Sequence, residues 1–147
     1  MSRAFVKDDD GGPEPTIYRP VSSAPNYVTP RGRRLLRDAL KRAEKAGNDR
    51  EERYYRERLD TAIVVERPPS PAETVEFGAT VTAHDANGVA LRVRIVGEDE
   101  ADPLRGAISW ESPVAQAFTD HRVGERVIVQ RPAGPIEYTI DAISFED

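Results

Sequence analysis

Several groups of side chains in this sequence have the chemistry to bind or to react. Glu98, Asp99, Glu100 and Asp102 form the densest carboxylate cluster. A calcium loop needs regular spacing closed by a bidentate glutamate, which this run lacks, so an acidic binding loop or a solvated turn remains. Asp8, Asp9 and Asp10 are adjacent carboxylates that a hard divalent cation would accept, with solvated charge as the alternative. Asn48, Asp49, Glu51 and Glu52 cluster between two helical stretches, at a spacing that helix capping requires. His84 and His121 lie far apart without metal-ligand spacing, and the chain has no cysteine, which excludes disulfides and thiolate sites. No nucleophile, base and orienting acid are placed together by the sequence, so no catalytic residue and no metal site is assigned.

The elements that must carry these groups follow from periodicity. Thr29-Pro30 is an N-cap followed by a first-turn proline, and Leu35, Leu36, Ala39, Leu40, Ala43 and Ala46 form one apolar stripe ended by Gly47. Asn48 or Asp49 caps a second helix, with Glu52 as a capping-box partner, and Tyr55, Leu59, Ala62 and Ile63 are expected to face the first stripe. The short turn makes the two helices an antiparallel hairpin of about 25 Å. Beyond Pro68-Pro-Ser-Pro71, strands are expected at Val75 to Ala83, Val89 to Gly97, Ala107 to Trp110, Val127 to Gln130 and Ile136 to Phe145. Asn87-Gly88 turns the first pair, and Ser112-Pro113 opens one short helix ending at Phe118.

Charge is divided unevenly along the 147 residues. Residues 1–67 hold 15 Lys+Arg against 12 Asp+Glu, and residues 68–147 hold 6 against 14, within a net charge of −5. Two surfaces with different partners, or ordinary solvated faces, would give this division. Eleven of the basic residues fall between Arg31 and Arg58, a density that could meet phosphates or pair with Asp38, Glu44 and Glu57. No apolar run approaches the ~20 residues of a membrane span, and the acidic start lacks a signal peptide's apolar centre. A cytoplasmic, soluble protein without membrane contact is expected.

Phe77-Gly-Ala-Thr-Val-Thr82, Arg94-Ile-Val-Gly-Glu-Asp-Glu-Ala-Asp102, Ile108-Ser109 and Ser112-Pro-Val-Ala115 are successive blocks that resemble the C-terminal domain of the bacterial Gre transcript-cleavage factors. Thr29-Pro30-x-Gly32-x-x-x-Leu36 resembles the start of that family's N-terminal hairpin, and Ala62-Ile-Val-Val-Glu66 its exit. The resemblance implies an FKBP-like C-terminal arrangement that docks on a coiled coil at the rim of the RNA polymerase secondary channel. Carried over by position, it implicates Ser109, Glu111, Ser112 and Pro113 as polymerase-binding, with Trp110 beside them either closing the core or anchoring the partner. In the family a longer coiled coil presents acidic residues that hold a catalytic magnesium ion. Here the middle of that coil is missing, and Asn48, Asp49, Glu51 and Glu52 near the turn loosely resemble its acidic tip.

The expectations are therefore an α+β chain with a disordered tail (1–25), a short helical hairpin (26–67), a proline-rich linker (68–74) and a Gre-like C-terminal domain (75–147). The expected function is a monomeric regulator bound to RNA polymerase at the secondary channel, meeting RNA or DNA only through the polymerase, non-catalytic and without a cofactor. The first alternative is a transcript-cleavage elongation factor that rescues backtracked polymerase with Mg2+, using the tip acids or Asp8 to Asp10. The second is an FKBP-like prolyl isomerase.

Overall fold

The computed structural model describes residues 20–68 and 73–145. Asp8, Asp9 and Asp10, most of the expected tail and residues 69–72 of the expected linker lie outside the described residues.

The chain enters through β1 (Tyr27–Val28), runs through α1 (Pro30–Ala46) and α2 (Asp49–Thr61), and returns in β2 (Ile63–Val64). β1 and β2 pair in parallel, Tyr27 with Ile63 and Val28 with Val64. Parallel neighbours need a crossover connection, and the helix pair is that connection. Leu36, Ala39 and Ala43 form the buried face of α1. The turn is set by Gly47, whose φ of 66° suits glycine, and by Asn48, whose Oδ1 accepts from Glu51 N at 3.1 Å. Arg56 ties the helices across this turn, reaching Glu52 and Glu44 at 3.1 Å each.

Thr29 caps α1 by accepting from Gly32 N at 2.9 Å, and its hydroxyl donates to Glu100 Oε1. Thr29→Ala is expected to cost about 1–2 kcal/mol, because the cap and the Glu100 hydrogen bond disappear together. A urea midpoint measurement checks this, and an unchanged midpoint would contradict it.

The second sheet has the order β5-β4-β3-β7-β6, built from β3 (Ala79–Asp85), β4 (Ala90–Val96), β5 (Ala107–Ser109), β6 (Arg126–Val129) and β7 (Ile136–Phe145). All neighbours are antiparallel except β4 and β5. Two 3-10 turns, Glu98–Glu100 and Pro103–Arg105, make the β4–β5 crossover, and α3 (Pro113–Phe118) follows β5. Alternation puts Val81 and Ala83 of β3, Val93 and Ile95 of β4, and Val127 and Val129 of β6 into one core with Ile140 and Phe118. This is an α+β arrangement with a mostly antiparallel five-stranded sheet.

Several expected boundaries move for identifiable reasons. The first strand begins at Ala79, because Val75 instead bonds the segment after α3: its N–H donates to His121 O at 2.8 Å and its carbonyl accepts from Asp120 N at 2.8 Å. Ile63 leaves the helical stripe for β2 and is 49% exposed. Leu35 is 41% exposed, since α1 buries only a narrow face. Among the described residues, no helix is long and apolar enough to cross a membrane.

Candidate functional site

The acidic turn after β4 points inward rather than into solvent. Arg58 of α2, 1% exposed, donates from Nε to Asp99 Oδ2 at 2.6 Å and from Nη2 to Asn26 Oδ1 at 2.7 Å. The Asn26 amide in turn donates to Arg58 O at 2.7 Å, and Tyr54 OH donates to Asp99 Oδ1. Glu98 Oε1 stands 4.0 Å from Arg58, while Glu100 lies 3.5 Å from Arg94 and 3.8 Å from Arg31. A buried guanidinium is tolerable only when its N–H groups and charge are both matched, and this cluster matches them with Asn26, just before β1, and with Glu98 and Asp99 of the turn. Glu98, Asp99 and Glu100 are thus a joint between the helix pair and the sheet, which corrects their reading as a binding loop or a solvated turn. Asp102 instead faces Arg105 at 3.5 Å. Sequence reasoning missed Arg58 and Asn26; the available signal was Tyr54 and Arg58, four apart on one helix face.

Beside this joint runs the segment from Ser109 to Pro113. Ser109 O accepts from Ser112 N at 2.9 Å and Ser109 Oγ from Glu111 N at 3.2 Å, closing a tight turn. Ser112 caps α3 by accepting from Ala115 N at 3.2 Å. Trp110 N donates to Val96 O at 2.9 Å, and its ring meets Tyr27 edge-on with centroids 5.1 Å apart. Behind Trp110 a cavity of about 370 Å³ is lined mainly by apolar groups, among them Tyr27, Phe77 and Ile95. Glu111 and Pro113 are exposed, whereas Ser109, Trp110 and Ser112 are half-buried. The turn therefore presents Glu111 and Pro113 outward on a frame made by the other three.

Glu111 also belongs electrostatically to the joint. A hydrogen bond with Glu98, then burial, then repulsion from Glu98 push the Glu111 carboxyl above its ordinary range, and Arg58 opposes this. Glu98 Oε2 is buried without a hydrogen-bond partner, so a protonated Glu111 gives that carboxylate a donor. Because the fold raises this pKa, the stability it contributes is complete in acid and is lost as pH rises through the raised value. Glu111→Gln is expected to raise the urea midpoint at neutral pH and to leave it nearly unchanged in acid. A midpoint that falls at neutral pH would contradict this.

The turn residues Asn48, Asp49, Glu51 and Glu52 are gathered as expected, but Asn48 acts as the cap and Glu52 pairs with Arg56. Among the described residues, no three carboxylate or imidazole groups converge as metal ligands would. With Glu52 engaged by Arg56, these carboxylates do not fit a metal held by this chain alone. His84 Nδ1 meets Asp141 at 2.8 Å on the exposed face of the sheet, and His121 Nδ1 lies 3.2 Å from Thr119 O, so neither histidine joins the site.

Comparison with known proteins bears on what this edge does. The profile described as "Transcription elongation factor, GreA/GreB, C-term" matches residues 70–145. Transcription elongation factor GreB of Xanthomonas axonopodis is 41% identical over 98 residues, covering 66% of this chain and 58% of that protein. Transcription elongation factor GreA of Desulfovibrio desulfuricans is 38% identical over 95 residues, covering 64% of this chain and 59% of that protein. The chain thus spans less than two thirds of the length of these curated relatives. Among solved structures, the elongation factor GreA/GreB from Nitrosomonas europaea aligns with a TM-score of 0.47 at 18% identity, over 82% of this chain and 99% of that one. The GreA factor homolog 1 of Thermus thermophilus aligns with a TM-score of 0.45 at 21% identity, over 82% and 99%.

The expectation of a non-catalytic factor is overturned by these relatives, which are the elongation factors GreA and GreB by name, the transcript-cleavage factors that the motifs resemble. More than half of the chain matches that profile, and the blocks it covers include the acidic joint and the Ser109–Pro113 edge; the chain belongs to the GreA/GreB transcription elongation factor family.

Proposed function

We propose that this chain is a transcription elongation factor that docks on RNA polymerase at the rim of the secondary channel and stimulates cleavage of backtracked RNA. Docking runs through the edge from Ser109 to Pro113, with Glu111 and Pro113 as the contact residues and Ser109, Trp110 and Ser112 as their frame. The helix pair is a shortened antiparallel hairpin whose turn, Asn48 to Glu52, points into the channel, and Asp49 is its most available carboxylate. The hairpin (26–67) and an FKBP-like C-terminal domain (75–147) are joined by residues 68–74, and the factor acts as a monomer in the cytoplasm.

The observation that carries this reading is the exposed Glu111-x-Pro113 pair on a hydrogen-bonded turn, inside the region matched by the family profile. The buried joint adds support, since it fixes the helix pair relative to that edge, and effective catalysis needs the acting group held in one geometry.

Backtracked elongation complexes made with purified polymerase test the reading. The chain is expected to shorten the transcript and to compete with an authentic GreA or GreB factor in the same reaction. Pro113→Ala with Glu111→Lys is expected to lower both effects about tenfold, the loss of roughly 1.4 kcal/mol of docking. Asp49→Asn is expected to lower cleavage and leave competition intact. If the natural chain neither stimulates cleavage nor competes, the proposal is overturned.

A further inference from the structure

A cavity of about 130 Å³ opens where the start of α1, residues 65–67, β4 and the end of β7 meet, sharing Val65 and Phe77 with the cavity behind Trp110. Four arginines line it, Arg31, Arg34, Arg67 and Arg94, with Glu66 as the one acidic wall residue and the rings of Phe77 and Phe145 as flat walls. A second cavity of about 150 Å³ shares Arg94 and adds Arg92 and Arg105. In a chain with a net charge of −5, this concentration of positive charge is local and not a consequence of composition.

Arg105 of the second cavity faces Asp102 at 3.5 Å, whereas the charge of the first cavity is answered only in part. Glu100 Oε2, buried and without another hydrogen-bond partner, lies 3.8 Å from Arg31 and 3.5 Å from Arg94 and answers part of their charge, while Oε1 accepts from Thr29. Arg67 donates to Phe145 O at 3.1 Å, a neutral partner, and among the described residues neither Arg34 nor Arg67 forms an ion pair. Arg94 Nε is buried with no hydrogen-bond partner. A buried, unmatched N–H donor costs desolvation free energy that an acceptor arriving from solvent would recover. The cavity also takes in Thr29, Pro30 and Arg31, the positive end of a 17-residue helix with no acidic residue in its first turn.

We propose that the first of these cavities, with Arg94 shared by the second, binds the phosphate chain of a small polyphosphate. Planar guanidinium forks match phosphate oxygens two at a time, and four of them around one cavity suit more than one phosphate group. Each compartment is smaller than the ~300 Å³ lower limit of ordinary ligand pockets, so the phosphates are the recognised unit and not a whole nucleotide. Inorganic pyrophosphate and a nucleoside triphosphate carry this same chemistry. Phe77 and Phe145 give the nucleotide a surface for its base that pyrophosphate cannot use. The site is separate from the Ser109–Pro113 edge, so its failure and the failure of polymerase docking are distinguishable.

Calorimetric titration of the full chain with sodium pyrophosphate, and in parallel with ATP, tests the proposal. Saturable one-to-one binding is expected, weakening as sodium chloride is raised. Arg34→Gln with Arg67→Gln, both exposed, is expected to keep the far-ultraviolet circular dichroism and to weaken binding about a hundredfold, tenfold for each guanidinium removed from the phosphates. Arg37→Gln, on the same helix but outside the cavity, is expected to leave binding within about twofold. Tighter binding of ATP than of pyrophosphate would assign the two rings to the base, and equal binding would assign the site to phosphates alone. Three results would overturn the proposal: no saturation by about 10 mM of either ligand, an equal loss in Arg37→Gln, or binding of single-stranded RNA that pyrophosphate does not displace.

Discussion

Arg58→Met is expected to lower stability by about 3 kcal/mol, through the cluster it leaves behind more than through the bonds it removes. Arg58 is 1% exposed and donates to Asp99, whose side chain is 12% exposed, at 2.6 Å. Without it Asp99 and the Asn26 carbonyl oxygen stay desolvated with fewer donors, and Glu98 loses the nearest positive charge. For a protein of this size the loss corresponds to a fall in Tm of roughly 6–12 °C. Hydrogen exchange separates the mechanism from general damage: amides of α2 are expected to lose protection while those of β3, packed in a different core, keep theirs. Adding Asp99→Leu to Arg58→Met is expected to restore part of the stability, since an apolar pair leaves no buried charge unmatched. A double variant no more stable than the single one, or β3 opening together with α2, would remove the joint as the explanation.

Gly97→Ala is expected to be nearly as damaging for a different physical reason. Gly97 has a φ of −75°, which any residue adopts, so its backbone is not what demands glycine. A Cβ at this position would lie 2.2 Å from Tyr27 O and 3.5 Å from Val28 Cα, and these are backbone atoms of β1. Backbone cannot step aside as a side chain does, so β1 has to shift or the acidic turn has to reopen, at a cost of about 2–3 kcal/mol. Moving β1 also moves Tyr27 off the Trp110 ring, which frames Glu111. The variant is therefore expected to lose both thermal stability and competition against a GreA or GreB factor. If competition survives at full strength while stability falls, Trp110 does not depend on β1 for its position.

What could be read in advance follows from where local patterns were decisive. Thr29-Pro30 and Ser112-Pro113 start their helices as expected, because cap and first-turn proline act within a few residues. Asp85 to Val89 turns the β3–β4 hairpin, with Asp85 Oδ1 accepting from Asn87 N and Val89 N and Gly88 supplying a φ of 79°. β7 matches its expected span although its alternation changes phase once: Ile136, Tyr138 and Ile140 face the core, then Ile143 and Phe145, with a register shift opposite Thr82 and Ala83. The parallel β1–β2 pair was not legible, since two-residue strands have no period and their pairing is fixed by the helices between them. The joint was illegible for a related reason. A run of Glu98, Asp99 and Glu100 looks the same whether water or an arginine distant in sequence answers it, and Arg58 sits among other charged helix residues with nothing local to mark it as buried.

The parallel pairing of β1 with β2 separates two properties that are usually linked. Both helices leave from one small platform, and the side chains that fix it, Asn26, Thr29, Arg58 and the acidic turn, all lie at that end. Nothing in the platform involves Gly47 or Asn48 at the far end. Residues added in matched numbers to α1 and α2 would extend the arm by about 1.5 Å each without disturbing its mount. Reach is thereby an adjustable dimension, open to change by insertion or deletion alone, while aim is inherited from the platform.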